Sequence, residues 1–242
     1  MPAQSHPDDS LVLPPVYRPV RAAAGRGAFA DACRRAADLG AGGFVHRLGP
    51  DLLDIAIVFE PEAPLASARR LLLLGVDALA ATLVAIAPPG TLVAIAYPDA
   101  VTLNGVIVGG ARLAAVPATP QDAVPDTVVL GLMVRIDAAA GEPGQWTRGS
   151  TLVEEGVEAL DPAAFAELLS AHVLSGVDRW LTDGFDPIGR SVLARLGAAG
   201  GLNLRLDDAG ALIDGTGQRV ADLSATAEIA TWLDPATETP WL

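Results

Sequence analysis

From residue 96 to residue 112 the chain reads Ala-Tyr-Pro-Asp-Ala-Val-Thr-Leu-Asn-Gly-Val-Ile-Val-Gly-Gly-Ala-Arg. Gly109-Gly110, on what reads as a strand, leaves bare backbone where another group must approach closely, and Tyr97-Pro98 ahead of it supplies a fixed wall. That combination builds a narrow ligand pocket. Arg112, two residues beyond Gly110, shares its strand face, and Arg47 lies near the end of an earlier strand. A guanidinium binds carboxylate or phosphate bidentately and stays charged at any relevant pH. Arg47 and Arg112 are therefore candidates for an anion-binding edge around the pocket, against the plainer reading of two solvated strand arginines.

Other chemistry finds little support. Cys33 lies among small apolar residues on a predicted helix and reads as a buried structural thiol. His46, pointing away from Arg47, and His172, within a predicted helix, read as structural. No His, Cys and carboxylate cluster has ligand spacing, so no metal site is expected. There is no Walker loop, dinucleotide glycine fingerprint or Gly-x-Ser-x-Gly elbow.

Composition narrows the classes further. The 242 residues are 51% hydrophobic, enough for a substantial core, and carry a net charge of −13. That charge disfavours nucleic acid and anionic membrane as partners. All sixteen basic residues are arginine, so chemistry that needs a lysine side chain of its own is unavailable. A single cysteine excludes an internal disulfide framework. With no apolar run of membrane-spanning length and no secretory signal, the expected location is the cytoplasm.

The elements that must position these residues follow from local patterning. Residues 1–19 are proline-rich and read as an extended lead-in. A helix is predicted over 28–39, then a hairpin of strands at 43–48 and 52–59. A nearly all-round apolar stretch from Pro64 to Pro88 predicts one long buried helix. Asn104-Gly105 between apolar flanks predicts a second hairpin, followed by a strand over "DTVVLGLMVRI". A polar glycine-rich loop covers about 137–150. Asp161-Pro162 opens a helix to about 183, with a shorter one over about 186–197. Gly197 to Gly201 marks a boundary before a small β ribbon and a short helix or turn through Trp232; Trp241 is expected to be exposed. This order argues the α+β class: a mixed, mainly antiparallel sheet with helices packed on one side, plus a small C-terminal β-containing extension. The expected division is 1–19, 20–198 and 199–242.

The 97–110 stretch resembles the signature of the biotin/lipoate protein ligase superfamily, in which Lys-Trp-Pro-Asn/Asp precedes a strand, a turn and a small-residue pair. Here Tyr97-Pro98-Asp99 stands for Trp-Pro-Asn, Asn104-Gly105 makes the turn and Gly109-Gly110 takes the place of the pair. The resemblance implies ligand binding by Tyr97, Pro98, Asp99, Asn104, Gly109 and Gly110, with no catalytic residue assigned; Arg47 and Arg112 join this set as the arginines that could compensate for the family's missing cations. It implies ATP and biotin, lipoate or a medium-chain acyl group as ligands, a biotinyl- or lipoyl-type acceptor domain as partner, and a homodimer by edge pairing. Two departures stand out. Ala96 occupies the place of the family's lysine, and "LGPDLL" replaces the Gly-Arg-rich loop of biotin ligases; Gly25-Arg26-Gly27 lies ahead of the first helix and reads as a helix entry. The reading that follows is a ligase-like protein with a pocket for such a ligand, diverged from adenylate formation. Its alternative is an active ligase or acyltransferase with arginines replacing lysine, and the absence of a helix-turn-helix removes a repressor role.

Overall fold

The computed structural model describes residues 11–138, 149–157, 160–196, 203–223 and 230–241. The loop predicted over 137–150 lies outside them except at its ends, and so does the boundary predicted at 197–201. No helix among the described residues is long and apolar enough to cross a membrane.

Seven strands form the main sheet: β1 (Arg18–Arg21), β2 (Gly43–Leu48), β3 (Leu52–Phe59), β4 (Val93–Ala96), β5 (Ala100–Leu103), β6 (Val106–Val116) and β7 (Thr127–Arg135). Their spatial order is β1-β2-β3-β7-β6-β5-β4. β1 runs parallel to β2 and every other pairing is antiparallel. The mixed, mainly antiparallel α+β class is thus the one the sequence predicts. The 43–48 and 52–59 hairpin and the Asn104-Gly105 hairpin form as expected. Asn104 and Gly105 both adopt positive φ, 51° and 90°, as a tight two-residue turn between twisted strands requires. β1 was not foreseen, and its first two residues fall within the predicted lead-in.

The central strand β7 is buried at all nine positions, which explains its unbroken apolar sequence: both faces of the sheet are covered. α3 (Leu71–Ile86) packs beneath one face, backed by α4 (Pro162–Asp183) and α5 (Asp186–Ala194). Phe44, Leu53, Ile55, Ile57, Leu130 and Leu132 point into that main core. α1 (Ala28–Leu39) covers the other face, where Ala28, Ala32 and Ala36 meet Val45, Ala56, Val58 and Val129. Packing on one side therefore holds for α3 to α5 and not for α1. The reason lies in period two: neighbours such as Ile55 and Ala56 point to opposite faces, and both faces here are apolar.

Two further details depart from the pattern. The predicted 64–88 helix is broken into α2 (Leu65–Ala68) and α3. At the break the Arg70 N–H donates to Ser67 O, a tighter turn than the α ladder, and the guanidinium lies 5.2 Å from the Trp180 ring centroid and 4.9 Å from that of Phe185. The Asp161 side chain accepts from Ala163 N at 2.9 Å, so the predicted N-cap of α4 is formed. Beyond the main sheet, β8 (Arg205–Leu206), β9 (Leu212–Ile213) and β10 (Arg219–Ala221) form a small ribbon, and β11 (Leu233–Asp234) pairs with β12 (Thr239–Pro240) as a terminal hairpin.

Gly131, in the middle of β7, is where α1 presses closest. A Cβ there would stand 2.6 Å from the Phe29 ring and 3.0 Å from Arg112 Cγ. Gly131→Ala is expected to cost about 1–3 kcal/mol through overpacking, read as a lower denaturation midpoint with an unchanged m-value.

Candidate functional site

Along the α1 face of the sheet, three charged side chains arrive in register. Arg47 on β2 pairs across to Asp54 on β3, and Arg112 on β6 sits opposite Gly131 of β7, next to Asp54's partner Met133. Asp54 is 1% exposed. Its Oδ2 accepts the N–H of Ala28, the first residue of α1, at 2.8 Å. The N-cap residue Gly27 offers no side chain, so a carboxylate from the sheet caps the helix instead, where the helix dipole favours negative charge. Arg47 Nη2 stands 3.6 Å from the same oxygen with its side chain half exposed, so this ion pair is worth little by itself.

Burial raises the Asp54 carboxyl above its ordinary value, against the lowering effect of the Ala28 N–H and of Arg112 and Arg47. The Arg112 guanidinium is lowered by burial, with Asp54 and Glu238 acting the other way. Arg112 lies 4.2 Å over the Phe29 ring, a cation–π contact that fixes it on the sheet. Its Nη2 is nonetheless buried with no hydrogen-bond partner among the described residues, and so is Nη1 of Arg26. The predicted anion-binding arginines are therefore brought to one place, with a carboxylate between them that the motif did not include.

The motif itself is occupied. Tyr97-Pro98-Asp99 forms the short turn between β4 and β5, and Gly110 pairs with Ala100. Over Gly110 lies the indole of Trp232, fully buried. A Cβ on Gly110 would meet the Asp99 carbonyl oxygen at 2.3 Å and, from the indole, Nε1 at 2.5 Å and Cε2 at 2.6 Å. The indole N–H donates to Ala111 O at 3.1 Å. Neighbouring Thr231 donates to Asp99 twice, N to Oδ2 at 3.2 Å and Oγ1 to Oδ1 at 3.1 Å. Leu52, Ala100, Met133 and Ala230 complete the apolar seat. Removing an indole from water here covers about 200 Å², worth roughly 5 kcal/mol as an upper bound. Arg135 secures the far strand of the hairpin, donating to Thr239 Oγ1 at 2.7 Å and Pro240 O at 3.0 Å.

The other motif residues go elsewhere. The Tyr97 hydroxyl donates to Gly210 O of the β8–β9 turn, so the ring braces the small ribbon. Pro98 is buried. Asn104 is exposed, accepting from Leu92 N and donating to Glu155. Gly109 is bare because its Cβ would meet Met133 O at 2.2 Å, a backbone approach within the sheet. Sequence reasoning missed Asp54 and Trp232. The first had a signal, a lone carboxylate in the apolar run "LLDIAIVF"; the second had none, because its place depends on a contact 122 residues away in sequence.

The remaining candidates read as structural. Cys33 is half-buried and its thiol is pushed up to about 11 by burial. His46 is buried on the main-core face beside Phe44, as expected from its position next to Arg47. His172 Nδ1 meets Thr82 Oγ1 at 2.9 Å between α4 and α3. Trp241, expected to be exposed, is half-buried, and its N–H donates to Trp232 O. Among the described residues no group of three or more His, Cys, Asp or Glu could hold a metal ion.

Residues 13–194 match the sequence profile of the biotin/lipoate A/B protein ligase family. No curated protein matches the chain in sequence. Among solved structures, a biotin protein ligase-like protein of unknown function from Silicibacter sp. TM1040 is similar, with 24% identity, a TM-score of 0.78, and coverage of 90% of this chain and 99% of the other. The apo biotin protein ligase from Aquifex aeolicus shares 11% identity at a TM-score of 0.68, covering 86% and 96%. The same enzyme in complex with biotin and ATP gives 11%, 0.61, 85% and 96%. At these identities the likeness is one of fold.

Asp54 sets a pH dependence whose sign can be worked out. Its folded pKa is raised, so the folded state holds the proton more tightly; the stability this contributes is complete below the ordinary aspartate value of about 4 and is lost as pH rises through the raised value. Asn at this position cannot titrate. The stability of the unaltered protein minus that of Asp54→Asn is therefore expected to fall as pH rises from about 4, measured by chemical denaturation at several pH values. A difference that grows with pH would show that Arg47 and Arg112 outweigh burial. Asp54→Ala, which also uncaps α1, is expected to cost roughly 2–4 kcal/mol.

Proposed function

The chain belongs to the biotin/lipoate A/B protein ligase family, and from that premise we propose that it is a non-adenylating member, holding a biotin-, lipoate- or acyl-type carboxylate on the α1 face of the sheet. The observation that carries this reading is that Nη2 of Arg112, beside the α1 N-terminus, is buried with no hydrogen-bond partner among the described residues. An unsatisfied buried donor costs about 1–3 kcal/mol, more when charged, and a ligand carboxylate recovers it. Arg47, on the same face and half exposed, supplies a second guanidinium.

The chemistry of adenylation lacks its support. Forming an acyl-adenylate gathers negative charge at the carboxylate and the phosphate, and catalysis requires a cation placed to offset it. Ala96, where the motif has lysine, presents only a methyl group at the end of β4. The β2–β3 connection is the short turn Gly49-Pro50-Asp51, closed by Gly49 N–H to Leu52 O, too brief to fold over a nucleotide. The function that fits is recognition of the ligand, delivered to or taken from a protein partner, without its activation by ATP. An acceptor domain and a homodimer belong to this reading by family likeness.

Thermal stabilisation and calorimetry with free biotin, lipoate and octanoate test it. One of these acids is expected to stabilise the protein in a concentration-dependent way, and Arg112→Ala to bind it about tenfold more weakly, the equivalent of about 1.4 kcal/mol. ATP–pyrophosphate exchange is expected to be absent with all three. Exchange with any of them would establish the alternative, an active ligase or acyltransferase with arginines replacing lysine. Failure of all three acids to bind would remove the carboxylate reading.

A further inference from the structure

Trp232 sits where the motif leaves room for a ligand. We propose that it is an intramolecular pseudo-ligand, and that the terminal hairpin β11–β12 must leave the Gly110 pocket before an external molecule can enter. The proposal rests on the reading that this face of the sheet binds a small carboxylate, and it adds what competes for that place.

Three observations carry it. The indole makes the contacts expected of a bound heterocycle: its Nε1 and Cε2 lie against a residue with no side chain, and its N–H donates to the Ala111 carbonyl. The adjoining Thr231 donates to both oxygens of Asp99, a buried motif carboxylate, through its backbone N–H and its hydroxyl. Asp99 and Gly110, two of the residues the motif offers to a ligand, are thus engaged by two consecutive residues of the chain's own C-terminal segment.

The occupant is also built to be separable from its seat. The hairpin has two residues in each strand, and a ribbon of that size does not hold itself together in water. It depends on docking. Its seat consists of side chains from β3, β5, β6 and β7, whose ladders are complete without it. Residues 235–238 at its tip are exposed. The hairpin can therefore leave while the seven-stranded sheet stays intact, a local opening of the kind low-stability segments undergo. Release uncovers an apolar slot floored by Gly110 and walled by Leu52, Ala100 and Met133, next to the Asp54 and Arg112 strip. Ligand affinity in the unaltered protein is then reduced by the fraction of molecules in which the hairpin is docked.

The full chain, Trp232→Ala and Thr231→Val are titrated with free biotin, lipoate and octanoate, and separately with indole. The expected result is an acid that binds Trp232→Ala at least about tenfold more tightly than the unaltered protein. In the unaltered protein, saturation with that acid should speed amide exchange across 230–241 but not across β6 and β7. Equal affinity in the two proteins would overturn the proposal and leave the carboxylate reading standing. If no acid binds either protein, the carboxylate reading fails. Indole stabilising Trp232→Ala but not the unaltered protein would then still support the pseudo-ligand, and indole stabilising neither would overturn it. Should Trp232→Ala fail to fold, Thr231→Val leaves the indole in place and removes the hydroxyl's hold on Asp99. Tighter acid or indole binding in that variant supports the proposal, and unchanged binding overturns it.

Discussion

A carboxylate buried in the middle of the sheet is costly unless its surroundings compensate it, and Asp54 is the point on which the α1 face is organised. Its oxygen caps a helix that has no cap of its own and faces guanidiniums from two other strands. The glycine at 131 lets Arg112 and Phe29 close over β7, and Gly27 keeps the α1 entry clear of Asp54 and Arg112. α1 lies to one side of this strip and the terminal hairpin to the other. The face is thus divided into an apolar helix seat, a charged strip and an apolar hairpin seat, all fixed by strand register.

That division gives the motif residues two different uses. Gly109 and Gly110 are adjacent, yet Gly109 is crowded by the backbone of β7 alone, and Gly110 by both the Asp99 carbonyl and an indole. A family signature read along the chain treats them as one pair. In the folded protein only Gly110 faces the slot, and its neighbour in space is a residue from the C-terminal segment. The fold of the family persists, and at the places that the resemblance gives to a lysine and a Gly-Arg loop this chain has Ala96 and the turn Gly49-Pro50-Asp51. The non-adenylating reading proposed above follows from that combination.

Much of the architecture was legible because its signals are local. The Asn104-Gly105 turn, the Asp161 cap with Pro162 and the period-two strands of the first hairpin each act within a few residues, and the structure forms them where the sequence places them. The break at Arg69 and Arg70 was not legible, since Leu65 to Ile86 is nearly all-round apolar with no Gly or Pro at the break, and the aromatic partners of Arg70 lie on α4 and in the turn before α5. β1 was hidden for a related reason: an edge strand of four residues paired in parallel gains its hydrogen bonds from β2, not from a pattern of its own.

The candidate site divides along the same line. By itself the sequence determined that the chain carries the family motif without its lysine, that every cation is arginine, and that Arg112 and Gly110 share a strand face. These follow from residue identity and from the alternation of side chains along a strand. Only the tertiary structure decided that Asp54 stands between Arg47 and Arg112, that α1 covers the second face, and that Trp232 fills the place the motif leaves open. Each of those depends on which strand lies beside which and on a contact between distant parts of the chain, made because a buried indole and a buried carboxylate must both be satisfied.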